Sequence, residues 1–341
     1  MERIIDKDLA CYNCGHEVFT TETKEYYQCT YCRTVESDKI RFYRKLNEEE
    51  SYDLFMELVP KVGEVITPNK DKVKESIKNI QNEVEKYILD AKLESLIIGI
   101  SGGLDSAVTV ALVKPICEKN NIKLLGLSIP LSSSNKHREQ AKWVGETYCD
   151  EFKEMTEWET TKTNNKVNEV LSSLNTEDKD EAIAQGNIKA RLRMMSLYYL
   201  AGINNGAVLS TDNYSEYWLG FWTLHGDIGD ISPIQYIEKG WELPEFAKEL
   251  GVRQDIIDQK ASDGLSVTEE DSDEAQLGLS YKEIATIILG YENRLPLDLK
   301  IIYNRIKENS KVKNIIERHN KTQYKRNGTF EITREMTKLN I

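Results

Sequence analysis

The sequence predicts an α/β fold: a doubly wound parallel sheet preceded by a small cysteine-rich module. Three observations carry this expectation. From about residue 70, short apolar runs without polar alternation take turns with longer segments of helical period. A glycine-rich turn joins the first such run to the next helix, and two Cys-x-x-Cys pairs stand near the N-terminus.

The cysteine pairs come first in the chain. Cys11-x-x-Cys14 and Cys29-x-x-Cys32 are separated by fourteen residues, a hairpin-sized gap that places four thiolates around one tetrahedral Zn²⁺. Val18, Phe19, Tyr26 and Tyr27 suit two short strands between the knuckles. A closed Cys₄ shell leaves no position open for a substrate, so the zinc is read as structural and His16 as facing solvent. Arg33, Lys39, Arg41, Arg44 and Lys45 make the next segment locally basic, which suits a solvated linker face. A helix-like stretch from Glu48 to Val59 follows, and Pro60, Gly63, Pro68 and Asn69 mark a break. The expected organisation is a zinc ribbon over 1–45, a linker segment over 46–69 and a main domain over 70–341.

In the main domain Val73, Ile77, Ile80, Val84, Tyr87 and Ile88 recur at intervals of three and four, as an amphipathic helix requires. A strand from Ser95 to Ile100 leads into a helix ending near Lys119. Strand 123–129, helix 136–147, strand 152–155, a long helix through 182–201 and strand 207–210 continue the alternation. Ligands of such sheets sit beyond the carboxyl ends of the strands, where "SGGLDS" and "STDNYSE" both fall. The acidic stretch "DGLSVTEEDSDE", Asp263 to Glu274, reads as a mobile loop.

Composition narrows the function. With 45 basic and 57 acidic residues among 341, the net charge of -12 disfavours nucleic acid or an anionic membrane surface as the main partner. The charged N-terminus lacks the apolar segment of a secretory signal, and no run approaches the roughly 20 apolar residues of a membrane span. A cytoplasmic location is expected. The two remaining cysteines, Cys117 and Cys149, stand alone in apolar or amphipathic patterns, so the six do not form a disulfide framework.

The stretch "GISGGLDSAV" concentrates the chemistry. Gly102 and Gly103 permit close backbone approach, Ser101 and Ser106 add hydroxyls, and a helix starting near Leu104 aims its first N-H groups and positive end at one spot, an anion site. It is neither a Walker A loop, having no Gly-Lys-Ser/Thr, nor a Gly-x-Gly-x-x-Gly dinucleotide turn. Asp105 would repel a polyphosphate unless a cation lay between them, so its presence suggests Mg²⁺ bridging carboxylate and phosphates.

The run Ser101-Gly-Gly-Leu-Asp-Ser106 resembles the pyrophosphate loop of the ATP pyrophosphatase superfamily, whose fold is adenine nucleotide alpha-hydrolase-like. "QGNIKARLRMM" (Gln185 to Met195), "STDNYSEYWLGFWTLHGDIGDISPI" (Ser210 to Ile234) and "QKASDGLSVTEEDSDEAQLGLSYKEI" (Gln259 to Ile284) are similar, in order and spacing, to the motifs of the NAD synthetase family. "TQYKRNGTF" (Thr322 to Phe330) is similar to its C-terminal segment, so the resemblance covers about residues 70–335. It implies an ATP-dependent amide ligase: ATP adenylates the carboxylate of nicotinate adenine dinucleotide, pyrophosphate leaves, and ammonia displaces AMP to give NAD. The chain carries no segment of glutaminase size, so ammonia itself is the expected nitrogen donor.

The resemblance also implies roles. ATP would meet the loop Gly99, Ile100, Ser101, Gly102, Gly103, Leu104, Asp105 and Ser106, together with Thr211, Lys239 and the Ser262 hydroxyl. Asp105 and Glu216 would hold Mg²⁺, and Lys239 would join them as the third catalytic group. Arg191, Asp230 and Lys325 match positions that contact the nicotinate substrate, Tyr324 joins them where the family has a histidine, and a homodimer is implied. The chain departs from the family pattern Phe-Thr-Lys-Tyr-Gly-Asp-Gly-Gly, reading Trp222-Thr-Leu224-His-Gly-Asp227-Ile-Gly229, with one residue fewer before Pro233. A substrate-contacting lysine is thus Leu224, an arginine two residues before the second strand's proline is Ser128, and the ribbon is an addition.

Three other readings compete. Loss of the lysine at 224 could accompany a shorter substrate, nicotinate mononucleotide, giving a nicotinamide mononucleotide synthetase. A tRNA-thiolating ATP pyrophosphatase also joins a zinc module to such a loop but needs reactive cysteines in its catalytic domain. A non-enzymatic nucleotide sensor would not need Asp105, Glu216 and Lys239 together.

Overall fold

The structure is a computed structural model; it describes residues 4–11, 16–20, 27–31, 35–36, 42–131, 134–172, 181–261 and 272–328. Cys14, Cys32 and Ser262 lie outside the described residues.

The N-terminal module is a five-stranded antiparallel sheet. Its strands β1 (Ile4–Cys11), β2 (Glu17–Thr20), β3 (Tyr27–Cys29), β4 (Val35–Glu36) and β5 (Phe42–Arg44) stand in the order β4-β3-β2-β1-β5. The expected hairpin is therefore β2–β3, with Val18 opposite Cys29, and three further strands extend it. Cys11 and Cys29 are buried with Leu9 and Val18 in a small core, while His16 is exposed and stacks on Tyr31.

The helix expected to end at Val59 runs on as α1 (Glu48–Ile66), through Pro60 and Gly63. Proline removes one ladder hydrogen bond without stopping a helix whose buried face is otherwise paid back by packing. Gly63 is needed because its backbone lies against the indole ring of Trp241, where a Cβ would overlap the ring. Residues 46–69 are thus not a bare linker: Phe55, Leu58, Val59 and Val62 are buried in the main body.

After α2 (Lys70–Asp90) the chain runs β6 (Ser95–Gly99), α3 (Leu104–Asn120), β7 (Lys123–Ser128), α4 (Asn135–Tyr148), β8 (Glu151–Glu154), α5 (Glu157–Ser172), α6 (Glu181–Ile203) and β9 (Gly206–Val208), the expected alternation with α5 as a helix not foreseen. The four strands are parallel in the order β8-β7-β6-β9. Period-two geometry splits their side chains between two layers. Leu96, Ile98, Leu124 and Ala207 meet α2, α3 and α4, whereas Ile97, Leu125 and Val208 meet Met194, Leu197 and Ala201 of α6. Both faces are covered, which is why the strands read as unbroken apolar runs. Helix α3 is apolar around its circumference because it lies between the sheet and α2 with α8 (Leu243–Glu249).

A second, all-helical core follows the sheet. Helices α11 (Tyr281–Tyr291), α12 (Leu297–Ile306) and α13 (Ser310–Lys321) bury Ile284, Ile287, Ile288, Leu299, Ile306 and Val312 against α1 and α7 (Tyr214–Leu219). Short helices α9 (Gln254–Ile257), α10 (Asp273–Leu277) and α14 (Gln323–Arg326) complete the described elements. Among the described residues no helix is long and apolar enough to cross a membrane.

Candidate active site

The carboxyl ends of β6, β7 and β9 open onto a cavity of about 1020 Å³. Gly99, Ile100, Ser101, Gly103, Leu104 and Asp105 line it, as do Thr211, Glu216 and Lys239. Gly102 and Ser106 shape the loop without lining the cavity. Gly102 has φ 85°, and a Cβ there would overlap the His137 carbonyl at the start of α4. Ser106 Oγ donates to the Gly103 carbonyl and lies 3.1 Å from Ser101 Oγ, which in turn accepts from Gly103 N-H. Gly103 is the N-cap of α3 and offers no side chain, so the first-turn N-H groups stay available to an anion. The turn is not a serine-capped helix start.

Asp105, in the first turn of α3, reaches across to α7. Its Oδ1 accepts from Asn213 Nδ2 at 2.8 Å, and Asn213 Oδ1 accepts from Glu216 N-H at 3.1 Å. One amide therefore aligns two carboxylates that are 111 positions apart in the chain, since the Glu216 carboxylate also closes a capping box onto Asn213 N-H. Sequence reasoning missed Asn213, although Asn-x-x-Glu in "STDNYSE" is a capping-box pattern.

Lys239 Nζ lies 2.7 Å from Glu216 Oε1, 3.1 Å from Asp105 Oδ2 and 3.5 Å from Asp273 Oδ2, and 4.4 Å from the Tyr281 ring centroid. The turn that delivers it is fixed by Glu238, whose carboxylate accepts from Gly240 N-H, Trp241 N-H and Ser215 Oγ. Burial pushes Glu238 up to about 7. Burial alone would lower the Lys239 pKa, but the Asp105 and Glu216 charges hold it well above its ordinary value, so it is an ammonium. Glu216 moves up, mainly through burial, with Asp105 and Asp273 adding repulsion that Lys239 only partly offsets. One ammonium cannot balance three carboxylates.

Asp273 and Tyr281 were not foreseen. The acidic stretch read as a mobile loop ends instead in α10, capped by Ser272, with Asp273 buried and hydrogen-bonded at 2.8 Å by Tyr281 Oη; residues 263–271 lie outside the described residues. Asp212 was also passed over. Its carboxylate lines the cavity with no well-formed hydrogen bond to either oxygen among the described residues, and burial, helped by Asp227 and Asp105, pushes its pKa up to about 6.

The four residues expected to meet the nicotinate substrate do not line this cavity. Arg191 Nε donates to the Leu224 carbonyl at 3.3 Å, and Lys325 Nζ donates to the carbonyls of Gly220 (2.8 Å) and Trp222 (2.5 Å). Burial lowers the pKa of Lys325. Asp230 accepts from Val208 N-H and Tyr198 Oη, tying the loop to β9, and Tyr324 is exposed. Three of them thus gather around the Gly220–Leu224 turn and β9, behind the wall that Phe221 and Trp222 present to the cavity.

The residues fit a hard divalent cation. Asp105 and Glu216 converge on one point now held by an ammonium, their donors are all oxygen, and three carboxyl groups share that single ammonium. Among the described residues no set of three His, Cys, Asp or Glu forms a metal cage, which suits an ion held by two carboxylates with phosphate and water supplying the rest.

Comparison with known proteins places this geometry. Residues 76–329 match the family model described as NAD synthase. The chain is 36% identical over 221 residues to an NH(3)-dependent NAD(+) synthetase of Alkaliphilus oremlandii, covering 62% of this chain and 85% of the relative. It is 32% identical over 261 residues to one from Thermoplasma volcanium, covering 75% and 96%. Among solved structures, an NMN synthetase from Francisella tularensis superposes with a TM-score of 0.63 at 26% identity, covering 76% of this chain and 98% of that one. An NH3-dependent NAD synthetase from Campylobacter jejuni superposes with a TM-score of 0.59 at 22% identity, covering 76% and 98%, and bears on the fold alone. A glycine-rich strand-to-helix loop, a carboxylate pair and a lysine on such a sheet, matched along three quarters of the chain, mean that the chain belongs to the NAD synthase family.

Proposed function

We propose that the protein is an ammonia-dependent NAD synthetase: it adenylates the carboxylate of nicotinate adenine dinucleotide with ATP and lets ammonia displace AMP. The observation that carries this reading is the convergence of Asp105 and Glu216 on Lys239 at the open N-terminus of α3. Mg²⁺ bound by the two carboxylates would neutralise the charge of the phosphates. The first-turn N-H groups of α3 bind phosphate oxygens, and Gly102 lets α4 close over the loop. Leu127, Ile129, Met194, Leu197 and Leu209 give the cavity an apolar end suited to the adenine. Lys239 donates to a phosphate oxygen as charge builds on the departing pyrophosphate, and Thr211 adds a hydroxyl. Ammonia then attacks the acyl carbon, AMP departs, and a proton leaves the new amide nitrogen.

The test is AMP formation dependent on the nicotinate substrate. Asp105→Ala and Glu216→Ala are each expected to lower it by about 10²–10³-fold; a variant retaining most of its rate would overturn the assignment.

A second reading, amidation of nicotinate mononucleotide, is favoured by Leu224 standing where a cation is expected and by the likeness to the Francisella NMN synthetase. Comparing kcat/KM for the two nicotinate substrates separates them.

The homodimer is supported by α6, whose Met195, Tyr199 and Ile203 form an exposed stripe at intervals of four, 61–68% exposed. Such a contact would bring Arg191 and Asp230 near a second copy, where the substrate residues outside the cavity acquire a use. The structural zinc is supported by the burial of Cys11 and Cys29 in one small core. Sedimentation of Tyr199→Glu and metal analysis of Cys11→Ser test these two points.

A further inference from the structure

The Lys239 ammonium occupies the place between Asp105 and Glu216 that a divalent cation would need. Carboxylate oxygens sharing one Mg²⁺ sit about 2.1 Å from it, which leaves no room for an ammonium touching both, and the two cations repel. The lysine must therefore have somewhere to go.

Its side chain is only 7% exposed, so withdrawal into water would uncover the cavity floor. The remaining carboxylate within 4 Å among the described residues is Asp273, at 3.5 Å. That carboxylate is unusually placed to receive it. Tyr281 Oη holds Oδ2 at 2.8 Å, while Oδ1 is buried and has no hydrogen-bond partner among the described residues. The Tyr281 ring already lies beneath Nζ, offering its negative face along the route. Asp273 is fixed at the first turn of α10, its N-H bonded to the Ala261 carbonyl at 3.1 Å.

We infer that Asp273 and Tyr281 form a receiving site for Lys239, which the ammonium enters when a divalent cation takes the oxygens of Asp105 and Glu216. Asp273 is a positioning residue in this scheme. It acts through Lys239, lowering the cost of vacating the metal pair and keeping the ammonium beside the phosphates rather than lost to solvent. The inference rests on the reading of Asp105 and Glu216 as the metal pair.

The test is Mn²⁺ binding to the full chain without ATP, followed by electron paramagnetic resonance, in the wild type, Lys239→Gln, Asp273→Asn and the double variant. Lys239→Gln is expected to bind Mn²⁺ more tightly than wild type, because nothing then competes for the pair. Asp273→Asn is expected to bind about fivefold more weakly, and the double variant to match Lys239→Gln within twofold. In the same way Asp273→Asn should raise several-fold the Mg²⁺ concentration giving half-maximal AMP formation.

A merely electrostatic or structural role for Asp273 predicts the same loss in both backgrounds, and that result overturns the inference. So does a Lys239→Gln protein that takes up no Mn²⁺, or an unchanged Asp273→Asn. If Asp273→Asn does not fold, judged by thermal unfolding, Tyr281→Phe carries the same expectations. Asp105→Asn separates the two readings: Mn²⁺ binding that survives it removes the metal pair itself, whereas binding lost there and unchanged in Asp273→Asn removes this inference alone.

Discussion

Asp212→Asn should make the protein more stable, although it removes a charged group from the centre of the site. The Asp212 carboxyl is 6% exposed, lacks well-formed hydrogen bonds and sits near Asp227 and Asp105, so its proton is held to about pH 6 rather than 3.8. Below pH 3.8 both folded and unfolded states keep the proton, and the group contributes nothing. As pH rises through 3.8 the unfolded carboxyl ionises while the folded one does not, and the fold loses stability until the folded group ionises near 6. Above that the loss is constant. A displacement of about two pH units corresponds to about 3 kcal/mol. Asparagine keeps the shape and removes the charge but still buries an amide, so a net gain of about 2 kcal/mol is expected at pH 8. At pH 4.5 the charge penalty has fallen to about 1 kcal/mol, and the advantage should shrink with it. Chemical unfolding of both proteins at the two pH values, with a chelator present to keep cations from the neighbouring carboxylates, measures the difference. An Asp212→Asn protein less stable than wild type at pH 8, or an advantage equally large at pH 4.5, would refute the reasoning.

Two further outcomes follow from the geometry. Gly102→Ala combines a left-handed backbone with a Cβ aimed at the His137 carbonyl, so it should raise the KM for ATP at least about tenfold, whereas Gly278→Ala, also left-handed but facing open space, should cost only about 1–2 kcal/mol of stability and leave that KM alone. Cys117 and Cys149 are held by burial at thiol pKa values of about 12, so Cys117→Ala with Cys149→Ala should keep substrate-dependent AMP formation; loss of turnover with retained folding would revive a thiolation chemistry.

The parallel sheet was legible because strands buried on both faces leave a plain mark, apolar runs such as Leu96 to Ile98 bounded by helical periods. The strand-to-helix loop was legible because two glycines and two serines follow an apolar strand and precede a helical period. The rest was hidden for identifiable reasons. Pro60 and Gly63 look like a helix end, and only the burial of Phe55, Leu58, Val59 and Val62, with the Trp241 ring against Gly63, explains why the helix continues. Asp273 sat inside an acidic run, where its own charge argued for solvent; its partners, Lys239 and Tyr281, are distant or uninformative in sequence. Asp212 gave no signal because an unsatisfied carboxylate can be recognised only by what surrounds it. The substrate positions Arg191, Asp230 and Lys325 came from resemblance, and in a single chain they bond to the carbonyls of Leu224, Gly220 and Trp222, to Val208 N-H and to Tyr198 Oη.

The contact of Gly63 with Trp241 reaches beyond packing. Trp241 stands two residues after Lys239, in the turn clamped by Glu238, and the helix that braces its ring grows directly out of the N-terminal sheet. A chain begun at residue 70 would retain every residue that the family match covers, yet it would strip the backing from the turn that carries the ammonium. Helix α1 is thus a buttress for the turn that presents Lys239 to the cavity.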